Sequence, residues 1–416
     1  MSVAPWYRLR KYPHFDLPTP ELEAIKLATS AHSVARHAFW PFIAFDLEKR
    51  RYKARNNVGV VSIKKRPIRI ASHRDGYIFA YYAWLLAKHY EDRIAGTPLS
   101  SSVLAYRRGI GSSMDFAFAA FEEIAKREEC VAFALDLEGF FDSIDHAILK
   151  DQWSKTLKVK RLPTDVFAVF KAVTRYATVD KDECFKALDI DPKKKKPIPR
   201  PICATSDFHT KIRKAGLVEV HKDTFGIPQG SPISAILSNV YMMPFDEKMS
   251  TWAKTVGAYY RRYCDDILIL VSPDFRHLVL PKIAEALLEQ GTHLQVNNSK
   301  TTQTHFVGGE ILSGPLLQYL GFTFNGSAIL IRSQTMSKFW RRAIYGVRAA
   351  KGRAKKASKK GGNPILFKRK LYRRFSHLGK RNFFTYAKRA WKISGDENIR
   401  RQLRRHWPRL HKEIRR

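Results

Sequence analysis

The stretch YYRRYCDDILIL, residues 259–270, places two adjacent carboxylates between an aromatic run and an aliphatic run. The alternation of residue types on either side predicts a β-hairpin with Asp265 and Asp266 at its tip. Carboxylates repel each other, and they are costly beside apolar neighbours. The pair is therefore either an ordinary Asp-rich turn or a site at which a bound cation compensates the two charges.

A third carboxylate lies at the end of another apolar run. Residues 131–141, VAFALDLEGFF, predict a strand buried on both faces that runs into a turn, with Asp136 near its end. A divalent cation shared by Asp136 and Asp265 would offset the cost of both. Mg²⁺ prefers carboxylate and phosphate oxygens. Two such ions can activate an attacking hydroxyl and stabilise a leaving pyrophosphate.

Between these carboxylates lies the segment GIPQGSPIS, residues 226–234. Gly230 permits an unusual backbone conformation, Ser231 is a predicted helix N-cap and Pro232 suits the first helical turn. The segment therefore predicts a loop that opens directly into a helix and could carry a template or an incoming nucleotide. The alternative is a simple turn before a helix.

These segments, in this order, resemble motifs A, B and C of the right-hand polymerases, and more narrowly those of bacterial reverse transcriptases of the group II intron, retron and defence-associated lineages. The segments that carry the resemblance, from about residue 60 to 325, are KKRPIRIASHRD (64–75), YRRGIGSSMDFAFAAFEEI (106–124), LDLEGFFDSIDH (135–146), GIPQGSPIS (226–234), YCDD (263–266), LQVNNSKT (294–301) and QYLGFTF (318–324). The resemblance implies an α+β right-hand polymerase fold with fingers, a palm of antiparallel sheet backed by helices, and a helical basic thumb.

The resemblance also implies roles for individual residues. Asp136, Asp265 and Asp266 would be catalytic ligands of two Mg²⁺ ions, for which Mn²⁺ is a possible substitute. Lys300 would be a catalytic general acid that protonates the departing pyrophosphate. The sequence departs from these families at Cys264, where they usually have Ala, and we expect a small buried side chain there without loss of chemistry.

The resemblance assigns six further residues to nucleotide binding. Phe141 would be the aromatic gate that crowds a ribose 2′-hydroxyl and favours deoxynucleotides. The others are Lys65, Arg66 and Arg74 of the fingers motif, together with Gln229 and Gly230. The alternatives are that Phe140 and Phe141 are both core residues, and that the three cations are ordinary surface residues.

The composition predicts a polyanionic partner. The chain has 75 Lys and Arg against 38 Asp and Glu, a net charge of +37, and residues 338–416 hold 28 basic against 3 acidic residues. Aromatic residues interleaved with Arg favour RNA over a membrane surface as the partner of this segment. No run of about 20 apolar residues and no secretory signal is present, so we expect a cytoplasmic protein without membrane association. The four cysteines are scattered, which disfavours a zinc site and disulfides.

The predicted domains are N-terminal helices and fingers (1–125), a palm (126–325) with an exposed insertion at about 176–225, and a basic helical thumb (333–416). Residues 1–58 are predicted to be mostly helical, and 351–363 a flexible cationic connection. Phe367, Leu371, Phe375 and Leu378 recur at helical spacing, with Gly379 as a C-cap. Arg373 and Arg374 would lie on the polar face of that helix and bind nucleic acid.

The sequence therefore predicts an RNA-directed DNA polymerase that binds dNTPs and copies a structured non-coding RNA into cDNA for antiphage defence. The sequence leaves no room after the predicted thumb for an RNase H, protease or endonuclease domain. We therefore do not expect a retroviral enzyme. A retron or solitary intron-derived enzyme, template-independent protein-primed DNA synthesis, and an RNA-binding scaffold with a vestigial palm are the alternatives. The template, the primer, the trigger and the oligomeric state do not follow from the sequence.

Overall fold

The structure is a computed structural model that describes residues 3–55, 58–192, 198–359, 361–363 and 365–416, with the backbone alone described at 50–55 and 58–62. The chain forms two compact units. The first comprises Met1–Tyr106, Leu137–Thr251 and Pro281–Val296, and the second Arg107–Asp136, Trp252–Leu280 and Asn297–Arg416. These units cut across the three predicted domains, so the division into fingers, palm and thumb stays a prediction.

Helices account for most of the regular structure. They are α1 Glu21–Thr29, α2 Ala31–Ala35, α3 His73–Ile94, α4 Leu99–Ser102, α5 Ser113–Ala125, α6 His146–Thr156, α7 Thr164–Thr174, α8 Lys181–Ala187, α9 Thr205–Asp207 (continued by a wider helical turn, Phe208–Arg213), α10 Ser234–Tyr241, α11 Met243–Thr255, α12 Val279–Glu289, α13 Ser333–Ser358, α14 Lys368–Phe375, α15 Phe383–Ser394, α16 Glu397–Leu403 and α17 His406–Arg415. Short 3₁₀ turns span Phe140–Ser143 and Pro273–Leu278.

The strands are short apart from one long central strand. They are β1 Phe42–Asp46, β2 Lys49–Arg55, β3 Val58–Lys64, β4 Pro67–Ile70, β5 Glu129–Glu138, β6 Ala177–Asp180, β7 Glu219–Val220, β8 Tyr259–Tyr263, β9 Asp266–Val271, β10 Gln295–Val296, β11 Thr302–Val307, β12 Glu310–Ser313, β13 Leu317–Tyr319, β14 Phe322–Phe324 and β15 Ile329–Ile331.

The first unit contains a sheet of order β4-β1-β6-β7, in which β1 and β6 are parallel and the other pairs antiparallel. Strands β2 and β3 form a separate antiparallel pair. The prediction that residues 1–58 are mostly helical is wrong, because β1 and β2 lie in this range. The β-branched and aromatic side chains of β1 suit a pleated surface, and pairing with β4 satisfies its backbone groups.

The prediction of an exposed insertion at about 176–225 is also wrong for the part of the chain that the structure describes. Strand β6 pairs directly with β1, and Val179, Phe185 and Phe208 are buried in one cluster with Phe15 and Ile43. The apolar side chains of this segment complete a core that begins far upstream. The lysine run that suggested exposure, residues 193–196, lies outside the described residues.

The second unit is built on an antiparallel sheet of order β12-β11-β5-β9-β8. Helix α5 begins at a capping box, in which the Ser112 and Asp115 side chains each bond the other residue's backbone N–H. The helix packs its apolar face into a core with the sheet; the buried side chains shared by these elements include Phe118, Phe121, Leu268, Leu270, Phe306 and Phe322. Strand β5 is central and buried at Cys130–Phe133, as its unbroken apolar run predicts.

Helices α13–α17 share a second apolar cluster, whose buried members include Phe339, Val347, Phe384, Leu410 and Ile414. The flexible connection predicted at 351–363 is wrong over most of its length, because α13 continues to Ser358. Ala, Lys and Arg are good helix formers, and they outweigh the single Gly352.

The predicted extent of the next helix is wrong at its C-terminal end. Helix α14 ends at Phe375, and Leu378 is exposed. The Ser376 hydroxyl donates to the carbonyl of Tyr372, and the Asn382 amide donates to the carbonyls of Arg373 and Ser376, so side chains satisfy the end of the helix. Gly379 is needed for a different reason than a C-cap, since a Cβ there would overlap the Arg373 carbonyl oxygen.

Candidate active site

The two adjacent aspartates lie at a tight hairpin, as the sequence predicts. Strands β8 and β9 are antiparallel, with Tyr263 opposite Asp266, so Cys264 and Asp265 form the connecting turn. Cys264 has a φ of 62°, a conformation that costs energy in any residue other than glycine. Cys264 is also buried, as expected for a small side chain. The strained turn projects the carboxylates from the end of the sheet.

The third carboxylate is on the neighbouring central strand. Asp136 of β5 is the direct Cα partner of Asp266 on β9, and opposite residues on adjacent strands hold their Cβ atoms about 4.5–5.5 Å apart. Burial, the charge of Asp265 and the charge of Asp136 raise the pKa of Asp266 to about 7. The charges of Asp136 and Asp265 therefore disfavour ionisation of Asp266, which is an electrostatic situation that a bound cation relieves.

Lys300 lies at the same place, on a turn anchored to the active-site strand. The Asn297 N–H donates to the carbonyl of Asp136 (2.8 Å), and the Lys300 N–H donates to the carbonyl of Asn297 (3.0 Å). The Lys300 ammonium forms an ion pair with the Asp136 carboxylate. The structure thus brings together all four residues predicted to be catalytic, Asp136, Asp265, Asp266 and Lys300, within the second unit.

The donor set matches the chemistry of a hard divalent cation, because it consists of carboxylate oxygens on adjacent strand ends. Within the described residues, no three His, Cys, Asp or Glu side chains converge closely enough to enclose a metal ion. The positive charge against Asp136 is instead the Lys300 ammonium. A metal bound by Asp136 would therefore compete with Lys300 for the same carboxylate.

A cavity of about 340 Å³ in the second unit is lined in part by Asp266. Its lining includes Tyr263, Asp266, Gln318, Tyr319 and Arg332. The Tyr319 hydroxyl and the Arg332 Nε are buried without a hydrogen-bond partner in the described chain, and the Arg332 charge lowers the pKa of Asp266. Arg332 lies outside the motifs that predict the site. The one feature that marks Arg332 in the sequence is its position directly between β15 and α13.

The predicted nucleotide loop lies in the first unit against the turn that follows β5. The Ile227 N–H donates to the carbonyl of Phe141 (2.9 Å), and the Gly226 N–H donates to the carbonyl of Ile144 (2.8 Å). Phe140 is buried whereas Phe141 is partly exposed. Only Phe140 is therefore fully packed in the core, and the role of the Phe141 ring as a gate stays a prediction.

Gly230 is held against a strand edge. It has a φ of 110°, and a Cβ at this position would lie 2.8 Å from the carbonyl oxygen of Arg69. The Arg69 N–H donates to the carbonyl of Gln229 (2.8 Å). The predicted N-cap at Ser231 is wrong, since α10 begins at Ser234, whose N–H bonds back to the Ser231 carbonyl. The N-cap is Ile233, so the helix begins two residues later than predicted.

We expect Gly230→Ala to destabilise the first unit by about 2 kcal/mol and to impair nucleotide binding, because it adds both backbone strain and a clash. Gly216→Ala is the matched control: Gly216 also has a positive φ (73°), but nothing lies within 4 Å of its Cβ position. Thermal unfolding of both variants measures the difference. Equal losses of stability would show that the contact with Arg69 is unimportant.

The three fingers cations do not meet at one point. Lys65 is exposed and pairs with Asp46 and Glu48 at 3.8 and 3.9 Å. Arg66 makes a reciprocal backbone pair with Leu47, and the side chain of Arg74 is not brought against the loop by any contact of the described residues. Their assignment to nucleotide binding stays a prediction.

Arg69 is a residue that the sequence analysis missed. Its backbone contacts both Gln229 and Gly230, and its guanidinium lies 5.2 Å from the centre of the Tyr176 ring. Its Nε and Nη1 atoms are buried and have no hydrogen-bond partner among the described residues. The signal in the sequence was the alternation within RPIRI (66–70), which places Arg69 on the face opposite Ile68 and Ile70.

The predicted nucleic-acid contacts, Arg373 and Arg374, are exposed on α14, whereas Leu371 and Phe375 of the same helix are buried. The predicted polar face is confirmed as exposed, whereas the predicted apolar face is confirmed only at Leu371 and Phe375, because Phe367 and Leu378 are exposed. No helix in the described part of the chain is long and apolar enough to cross a membrane.

Comparison with known proteins identifies the fold. Residues 84–324, more than half of the chain, match the family model described as "Reverse transcriptase (RNA-dependent DNA polymerase)". This match confirms the predicted α+β right-hand polymerase class. The matched range contains the three carboxylates, Lys300 and the 226–230 loop.

Solved telomerase structures are also similar. Apo telomerase from Candida tropicalis, truncated from the C-terminal domain, aligns with a TM-score of 0.43 and 11% identity over 70% of this chain and 57% of that chain. Telomerase from Candida albicans in complex with a TWJ fragment of telomeric RNA aligns with a TM-score of 0.40 and 9% identity, over 92% of this chain and 64% of that chain. The chain thus spans somewhat over half of the length of these telomerases.

Proposed function

Since the chain belongs to the reverse transcriptase (RNA-dependent DNA polymerase) family, we propose that it synthesises DNA on an RNA template. The observation that carries this proposal is the cluster of Asp136, Asp265 and Asp266 at adjacent strand ends, with Lys300 in contact. A structural turn has no need of three carboxylates on two adjacent strands and their connecting turn. A nucleotidyl-transfer site needs them.

Asp136, Asp265 and Asp266 would hold two divalent cations, Mg²⁺ with Mn²⁺ as a substitute. When bound, such ions lower the pKa of an attacking hydroxyl and neutralise charge on a leaving pyrophosphate. Lys300 keeps its ammonium at the Asp136 carboxylate, so it is placed to supply a proton to an oxyanion formed there. Arg332 adds a second positive charge beside Asp266.

The substrates we propose are dNTPs. Phe141 presents a partly exposed ring at the turn bonded to the 226–230 loop. A ring beside the sugar excludes a 2′-hydroxyl by contact. Gln229, Gly230, Lys65, Arg66 and Arg74 are the proposed partners of the nucleotide and template. Arg69 joins them because its backbone bonds to Gln229.

The biological role we propose is synthesis of cDNA from a structured non-coding RNA in antiphage defence by a bacterial cell. The motif resemblance to the defence-associated lineages supports it, as does the basic C-terminal segment. Expression in a bacterial host, with and without Asp265→Ala, followed by phage plating would test it. Equal plating efficiency on both strains would contradict the defence role.

The activity is tested by primer extension. The purified chain should extend a DNA or RNA primer on an RNA template with dNTPs, and a chelator should stop it. Sequencing the copurifying RNA and DNA separates the alternatives. A unique structured RNA with matching cDNA supports the proposal, DNA without a template sequence supports protein-primed synthesis, and RNA without any synthesis supports a binding scaffold.

We expect Arg373→Ala combined with Arg374→Ala to weaken RNA binding and to flatten its salt dependence. Each phosphate contact contributes roughly 0.7–0.9 log units of affinity per log unit of salt, so the slope should fall by about two contacts' worth. The helix should survive, because Ala is the better helix former. Binding of the copurifying RNA, titrated with salt, measures the slope.

The control for this experiment is the pair Lys155→Ala and Lys211→Ala, which removes two exposed cations from the first unit. This pair should leave the slope unchanged. Binding of an unrelated RNA hairpin of equal length shows whether the chain prefers the copurifying RNA. An unchanged slope in the double arginine variant would refute the placement of nucleic acid on α14.

A further inference from the structure

We infer that the groove between α13 and α14 binds unpaired nucleotides of an RNA strand. The inference rests on the proposed function only in taking RNA as the partner. The groove encloses about 490 Å³, and its lining includes Gly346, Ala350, Ala354, Phe367, Lys370 and Arg374. The groove lies within the second unit, and its lining residues are distant in the sequence from the carboxylate cluster.

The floor of the groove is smooth. Gly346, Ala350 and Ala354 recur at four-residue spacing, so they share one face of α13. A Cβ at Gly346 would lie 2.6 Å from the Phe375 ring, and glycine is therefore what lets this ring pack against α13. A smooth floor of glycine and alanine accepts a flat object such as a nucleobase. A peptide helix needs pockets for side chains at i, i+4 and i+7.

The mouth of the groove carries apolar side chains that folding leaves uncovered. Phe367 is 60% exposed and Ile365 is 53% exposed. Helical spacing predicts that Phe367 packs inward with Leu371, but α14 begins one residue later and Phe367 is its N-cap. The Lys370 ammonium lies 5.0 Å from the centre of the Phe367 ring. An exposed ring beside a cation is the usual platform for base stacking.

The positive charge around the groove favours an anionic ligand. Arg353, Lys370 and Arg374 line the groove, and none of its described lining residues is acidic. Residues 333–375 contain 15 Lys and Arg and no Asp or Glu. A ligand that offers planar apolar faces and a regular series of negative charges fits both features. Unpaired RNA has this chemistry, whereas a duplex hides its base faces.

The test compares Phe367→Ala with Tyr345→Ala in the full chain. Tyr345 is 76% exposed on α13, one of the two helices that form the groove, but does not line the groove, so it is a matched aromatic control. The probes are an unstructured RNA of about 12 nucleotides and a blunt RNA duplex of the same total charge, followed by fluorescence anisotropy.

We expect Phe367→Ala to lower the affinity for the single strand about tenfold, which corresponds to about 1.4 kcal/mol, and to leave duplex affinity unchanged. Tyr345→Ala should change neither. Ala354→Leu, which fills the floor, should reproduce the selective loss without removing a ring. Unfolding temperatures matching the unaltered chain exclude misfolding for each variant.

Equal loss of affinity for both probes, or no loss for either, would overturn the inference. Displacement of the single strand by an acidic amphipathic peptide more readily than by a competing RNA would overturn it too, since the groove would then be a peptide site. Primer extension by the unaltered chain is measured separately. A chain that binds single strands through the groove but fails to extend primers would contradict the proposed function alone.

Discussion

Asp265→Ala is expected to abolish nucleotide incorporation while the protein stays folded and keeps its RNA affinity. Asp265 lies at the tip of the β8–β9 hairpin, outside the apolar core. Its loss removes a carboxylate from the metal-binding set and nothing from the packing of the sheet. We expect the rate to fall by at least about a thousandfold, equivalent to about 4 kcal/mol of transition-state stabilisation.

The measurement is single-nucleotide extension of a primed RNA template in Mg²⁺ and in Mn²⁺. Asp274→Asn is the matched control, because Asp274 is an exposed aspartate just beyond β9 in the same unit. That variant should extend the primer as the unaltered chain does. Substantial dNTP incorporation by Asp265→Ala would refute the assignment of the carboxylates.

The ion pair of Lys300 gives this experiment a second arm. Because its ammonium contacts Asp136, Lys300→Met should slow extension less than Asp265→Ala does, by about 10²-fold, the lower end of the usual contribution of a general acid or base. The Lys300 variant should also bind divalent cations more tightly, since one competitor for Asp136 is gone. A rate loss in Lys300→Met as large as that of Asp265→Ala would make the lysine part of the metal-binding architecture.

The carboxylate cluster could be predicted because local signals and resemblance agreed. The alternation around YCDD predicted the hairpin, and the apolar run before Asp136 predicted a buried strand. Both features depend on nearest-neighbour patterns of side chains. Their meeting across the sheet, with Asp136 opposite Asp266, was suggested by the cost of the carboxylates beside apolar residues and by the family resemblance, since no local pattern specifies which strands pair.

The errors have a common physical origin in contacts between distant segments. Residues 176–225 look polar and proline-broken, but Val179 and Phe208 are buried against Phe15, which no window of sequence reveals. Arg69 was overlooked because its importance comes from its backbone bond to Gln229, 160 residues later. The end of α14 is set by Asn382, which lies beyond the helix.

At residues 351–363 the helix propensity of the sequence was underestimated, and a helix was predicted to be a flexible connection. The glycines and lysines there suggested a flexible connection, whereas the alanines and cations of the same stretch continue α13 to Ser358. The error has a functional consequence, because the continued helix supplies Arg353 and Ala354 to the groove against α14. The groove could not be predicted from the sequence.

Phe141→Ala is expected to let ribonucleotides compete with deoxynucleotides. Phe140 already fills the core position of the pair, so the partly exposed Phe141 ring is free to act as the gate. Removal of the ring opens space where a 2′-hydroxyl would otherwise collide. We expect the ratio of kcat/KM for dNTP over rNTP to fall by about a hundredfold, or about 2.7 kcal/mol, mostly through improved rNTP use.

The size of that effect distinguishes a gate from a structural ring. Phe167→Ala is the control: Phe167 is a partly buried aromatic on α7 of the same unit, stacked on Phe170, and its loss should lower stability without changing discrimination. Phe141→Tyr keeps the ring and should keep the preference for dNTPs. If Phe141→Ala lowers the use of both nucleotides equally, the ring only holds the turn whose backbone is bonded to Ile227 of the 226–230 loop. Selection against the 2′-hydroxyl must then be made by another residue.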